Sequence, residues 1–119
     1  MKRMLIKALL MALVLAPVSA LAHGHLDRAQ PAVGSTVAAP KEVSLWFTEA
    51  VEPKFSSIVV QDAKGTAVQL GKAEVAADNK ANLKIKVKPL VPGVYKVMWK
   101  ILSVDTHRTQ GSFNFTVAP

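Results

Sequence analysis

Apolar and polar residues alternate through most of the chain beyond its first quarter. Val43, Leu45 and Phe47 interleave with Ser44 and Thr48; Leu83, Ile85 and Val87 with Lys84 and Lys86; Phe113, Phe115 and Val117 with Ser112, Asn114 and Thr116. A period of two with one apolar side is the signature of a strand that buries one face, the usual state of an antiparallel sheet. A longer strand fits 93–102, with Tyr95, Val97, Trp99 and Ile101 on one side, and another fits 56–61 around Ile58 and Val60. Ala63-Lys64-Gly65, Ala77-Asp78-Asn79 and Val91-Pro92-Gly93 supply turn chemistry between them. No segment after Ala22 carries a capped 3.6-residue stripe. The pattern predicts an all-β protein, a Greek-key β-sandwich or barrel of immunoglobulin-like size with about seven strands.

The first 22 residues obey a different grammar. Lys2, Arg3 and Lys7 form a basic head, the run from Ala8 to Leu15 is uninterruptedly apolar, and Pro17 precedes the small-residue pattern Ala20-Leu21-Ala22. That is a secretory signal with cleavage after Ala22; the apolar run is shorter than the ~20 residues a spanning helix needs. The domain expected to remain is 23–119, which is 97 residues and enough for one core.

Composition narrows the chemistry. There is no cysteine, which excludes disulfides, thiolate catalysis, iron–sulfur clusters and the blue-copper centre. The formal charge of +7 falls to +4 once the signal's three cations are removed, leaving twelve Lys and Arg against eight Asp and Glu. Lys80, Lys84, Lys86 and Lys88 recur at strand spacing, the pattern of a solvated sheet face or a protected edge, so nucleic acid is not the expected partner. Trp46 lies on the opposite parity from Leu45 and Phe47 and is expected at the surface, whereas Met98 falls inside a strand pattern and is expected in the core.

The three histidines are placed unevenly: His23 and His25 at the processed start, His107 before the last strand. Cleavage after Ala22 gives His23 two nitrogen donors, its α-amine and its imidazole, both readily neutral at mild pH. His107 would add a third nitrogen, making a T-shaped histidine brace, and Asp105 a carboxylate; in an extended loop the spacing Asp105-Thr106-His107 puts both side chains on one side. Nitrogen and carboxylate donors in a tetragonal set favour copper(II). His25 is a rival, because an unblocked X-X-His terminus can itself wrap copper(II) with its amine, two backbone amides and the third residue's imidazole.

Over essentially all of 23–119 the chain resembles the CopC copper-resistance proteins of the bacterial periplasm. The resemblance rests on His23-Gly24-His25-Leu26 followed by Gln30-Pro31, on Ala39-Pro40 leading to Val43-Ser44-Leu45-Trp46-Phe47-Thr48-Glu49, on the run from Gly93 to Trp99, and on Ser103-Val104-Asp105-Thr106-His107 running into Gly111-Ser112-Phe113. It implies a cupredoxin-like sandwich binding copper(II) through His23, Asp105 and His107, with Glu49 interacting more weakly. The second, methionine-rich copper(I) site of some members is not expected, because 23–119 keeps one methionine. The resulting expectation is a monomeric periplasmic copper(II) carrier or buffer in copper resistance and homeostasis, not an enzyme, with the copper ion and an inner-membrane copper transport protein as partners. The competing reading is a copper-dependent oxidative enzyme of the lytic monooxygenase type, which uses the same brace; a third is an exported sandwich in which Asp105 and His107 only brace a loop.

Overall fold

The structure, a computed structural model, describes residues 26–119; the signal-peptide reading, His23 and His25 lie outside the described residues. Eight strands follow one another: β1 (Leu26–Gln30), β2 (Thr36–Val37), β3 (Glu42–Phe47), β4 (Ser57–Gln61), β5 (Gln69–Ala76), β6 (Asn79–Val87), β7 (Gly93–Leu102) and β8 (Arg108–Val117), with one short 3-10 turn, Pro53–Phe55. They form two four-stranded sheets, β1-β3-β6-β5 and β2-β8-β7-β4, packed as a sandwich. All pairings are antiparallel except β2 with β8. The expected strands are all present. The short parallel strand β2 and the irregular β5 were not anticipated, because two residues show no period and Gly71 and Lys72 interrupt the alternation of β5.

The core is what the alternation selects. Val43, Leu45 and Phe47 of β3 and Leu83, Ile85 and Val87 of β6 face Ile58 and Val60 of β4, Tyr95, Val97, Trp99 and Ile101 of β7, and Phe113, Phe115 and Val117 of β8. Each such side chain contributes about 1.5–3 kcal/mol by leaving water. Aromatic rings join the sheets and the strands: Phe47 meets Trp99 edge to face with centroids 5.1 Å apart, and Tyr95 stacks on Phe115 at 5.6 Å. The Tyr95 hydroxyl donates to the Val91 carbonyl at 2.6 Å, pinning the turn that leads into β7. Trp99 depends on Gly111, its partner in register, since a Cβ there would stand 2.6 Å from the ring's Cζ2.

Two expectations are corrected. Met98 is on the outer face of its sheet, between Val59 and Ser112, and only half-buried, because β7 alternates strictly and the odd positions hold the core. The lysines of β6 take the solvated face that was expected but protect no edge, because β6 lies inside its sheet and Lys84 and Lys86 stand in the middle of the outward face.

Two connections matter for the site. The segment between β3 and β4 crosses over the end of β7, where Val51 pairs with Ser103, the Val104 amide donates to Ala50 at 3.0 Å and the Glu52 amide to Leu102 at 2.9 Å. After β4 the chain turns at Asp62, whose Oδ1 accepts from the amides of Lys64 and Thr66, both at 2.9 Å.

Gly111→Ala should destabilise the protein by about 1–3 kcal/mol, since the ring cannot yield without disturbing a packed core; thermal unfolding measures this, and a midpoint unchanged from wild type would contradict the packing described. The turn makes a pH prediction. The Thr66 amide, foremost, holds the Asp62 carboxyl below its ordinary pKa. A lowered folded pKa contributes stability above the unfolded value and loses it as pH falls through the folded one. Asp62→Ala should therefore be less stable than wild type near neutrality, and the gap should close in acid; denaturant titrations at several pH values would reveal a gap that instead widened.

Candidate metal centre

The hairpin joining β7 to β8 is a tight loop, 103–107, closed by the Ser103 amide donating to the His107 carbonyl at 2.9 Å and the Thr106 amide to the Ser103 carbonyl at 2.8 Å. Asp105 and His107 meet at its tip, with His107 Nδ1 3.2 Å from Asp105 Oδ2. They meet for a reason other than strand parity. The loop is a turn rather than extended chain, and Thr106 between them has φ of +72°. A β-branched residue in the left-handed region is strained by about 1–3 kcal/mol, so the surrounding hydrogen bonds must hold it there.

Ser103 supplies much of that hold. It continues the inward parity of Trp99 and Ile101 and is buried, and its hydroxyl donates to Asp105 Oδ1 in a very short hydrogen bond and lies 3.2 Å from the His107 carbonyl. The Ser103 hydroxyl is the main reason the Asp105 carboxyl lies well below its ordinary pKa; partial desolvation opposes this, and His107 and Glu49 add to it. Asp105 therefore stays ionised and aimed. Sequence reasoning gave Ser103 no role, although a serine at an inward position at a strand's end is a signal that its hydroxyl needs a buried partner.

Glu49 arrives from the other sheet. The crossover that pairs Val51 with Ser103 carries it to the loop, where its side chain reaches Asp105. Among the described residues its Oε1 is buried without a hydrogen-bond partner. A buried carboxylate oxygen without a donor, beside a second carboxylate, is an arrangement that a cation satisfies.

Of the four expected ligands, Asp105 and His107 are in contact and Glu49 reaches Asp105, while His23 lies outside the described residues. Two donors each about 2.0–2.2 Å from a first-row ion at a right angle stand about 3 Å apart, which the Asp105–His107 pair matches. Among the described residues no three His, Cys, Asp or Glu side chains converge on one point as a metal cluster. The pair is half a site.

Comparison with known proteins bears on what the half-site belongs to. Residues 26–118 match the CopC domain. Copper resistance protein C of Xanthomonas campestris pv. juglandis is 35% identical over 109 residues, covering 87% of this chain and 86% of the relative. The crystal structure of CopC from Methylosinus trichosporium OB3b superposes with a TM-score of 0.75 at 38% identity, covering 80% of this chain and 93% of that one. Copper transport protein CutJ of Bacillus subtilis is 32% identical over 111 residues; the match takes in 92% of this chain but 20% of that much longer protein.

Ser103→Ala should lower stability by about 1–2 kcal/mol and release the carboxylate's aim. Chemical-shift changes confined to 103–107 and to the neighbourhood of Glu49 would accompany it; an unperturbed His107 ring would mean that Ser103 does not organise the loop.

Proposed function

The chain belongs to the CopC family, and on that premise we propose that its processed form, beginning at His23, is a periplasmic copper(II)-binding protein of copper resistance and homeostasis. It binds one ion through the His23 amine and imidazole, the His107 imidazole and the Asp105 carboxylate, with Glu49 beside them. The observation that carries this reading is the register of β1. Leu26 pairs with Phe47, two residues before Glu49, so the chain enters the sandwich at the end where Asp105 and His107 stand. The three residues back to His23 span up to about 10 Å. The missing donors would come from there.

Each donor has a stated duty. The His23 nitrogens form one chelate, His107 closes the brace, and Asp105, already ionised, neutralises part of the ion's charge. Glu49 meets the cation with an oxygen that otherwise has no partner. Three nitrogens and a carboxylate leave no obvious open position for oxygen, which favours carriage or buffering over turnover. A monomer that exchanges copper with an inner-membrane copper transport protein fits the Bacillus subtilis relative, where a region like this chain makes up one fifth of a copper transport protein.

The decisive comparison is between protein beginning at His23 and protein extended by one residue. Extension converts the amine to an amide, so copper(II) affinity should fall at least tenfold and the electron paramagnetic spectrum should change; equal behaviour would overturn the brace. His25→Ala in the processed protein should bind as wild type, and a collapse there would assign the ion to the terminal peptide instead.

A further inference from the structure

Away from the metal end, the outward face of the sheet β1-β3-β6-β5 holds a groove of about 1100 Å³. Its deep part is unlike an ordinary solvated face. Ser44 and Asn82 are buried and Trp46 is half-buried, although all three lie on the parity that points away from the core. The Arg28 guanidinium lies over the Trp46 ring, 3.7 Å from its centroid, and holds it in place. Around this floor stand Lys41, Lys84, Lys86 and Lys88, with Glu42 opposite Lys86 and Glu74 opposite Lys84 in the strand register, and Leu70 adds an exposed apolar wall. Among the described residues, none of these four lysines is within ion-pairing distance of a carboxylate.

A fixed tryptophan and arginine beside apolar walls is the composition of an interface centre, and Arg28 with four lysines against Glu42 and Glu74 leaves an excess of positive charge that calls for negative charge. A flat lipid surface could reach the lysines but not the recessed Ser44 and Asn82. An extended peptide could reach both, its side chains meeting Trp46 and Leu70 and its carboxylates the lysines. The Trp46 end of the groove points toward the candidate metal centre, and the rest runs away from it along β3 and β6 to Lys41 and Lys88. Trp46 precedes Glu49 by three residues on the same chain.

We propose that this groove docks an acidic, apolar-containing segment of a protein partner, and that it sets that partner beside the metal centre. The docking stands on the groove alone; the copper exchange it would serve rests on the function proposed above. Binding should be salt-sensitive, because the lysines are exposed or half-buried.

The test uses the processed protein, ¹⁵N-labelled, and three probes: a ten-residue peptide of alternating Glu and Leu, the matching Lys and Leu peptide, and phosphatidylglycerol vesicles. The acidic peptide should move the Trp46 indole resonance and the amides of 41–46 and 82–88 while leaving the Trp99 indole unmoved. Its affinity should drop at least tenfold in the double variant Lys84→Glu, Lys86→Glu and in Trp46→Leu, both with wild-type circular dichroism. No shift, shifts on another face, equal binding of the basic peptide, or the same shifts from vesicles alone would overturn the proposal. Copper(II) titration of the double variant keeps the two readings apart. Unchanged copper binding with lost peptide binding supports a separate groove, whereas loss of both would overturn that separation. A wild-type protein that binds the peptide but no copper would sink only the function proposed above.

Discussion

The packing of Trp99 onto Gly111 is the constraint around which the sandwich is organised. The largest fully buried side chain lies across the strand next to its own, which is feasible because the residue opposite has no Cβ to displace it. From there the ring reaches Phe47 in the other sheet, so one side chain couples the β7–β8 hairpin to β3. Both segments that carry candidate ligands leave this junction. Phe47 is followed within two residues by Glu49, and Gly111 is preceded within four by His107. A rigid core contact thereby fixes the end of the molecule at which chemistry can be assembled.

What the core begins, backbone pairing finishes. The crossover segment after β3 contributes no regular strand, yet its bridge from Val51 to Ser103 and the flanking amide bonds hold it against the hairpin. Ser103 serves both sides of this junction, since its backbone takes the bridge and its hydroxyl holds Asp105. The strained Thr106 is tolerated inside that frame. Strain of this kind is kept where it positions a functional group, and here it turns Asp105 and His107 toward one another. The scaffold is common to many functions; the half-site at its end is particular to this one.

Charge is distributed unevenly over the molecule. Carboxylates gather where a cation would sit, at Glu49 and Asp105, and lysines gather along the outward groove that starts at Trp46. The two regions share β3 but not their solvent face, and they are therefore separable by substitution.

The sequence alone determined the class of fold and nearly all of its core. Strict alternation is a local property, and Val43, Leu45, Phe47, Tyr95, Val97, Trp99, Phe113 and Phe115 are buried as their parity requires. Asp105 and His107 were legible because they are two residues apart, and Glu49 only through the family resemblance. Tertiary structure decided the rest. Asp105 and His107 were expected side by side from extended-chain spacing; they are, but a turn with a left-handed Thr106 rather than strand parity brings them together. Met98 went to the outer face and β6, with its lysines, to an interior place in its sheet because strand order and face are set by pairing between distant segments, which no local period encodes. For the same reason the joining of Ser103 to Val51 became visible only once the crossover had laid one sheet's connection across the other's hairpin, and the Trp46 groove only once β1, β3 and β6 had paired.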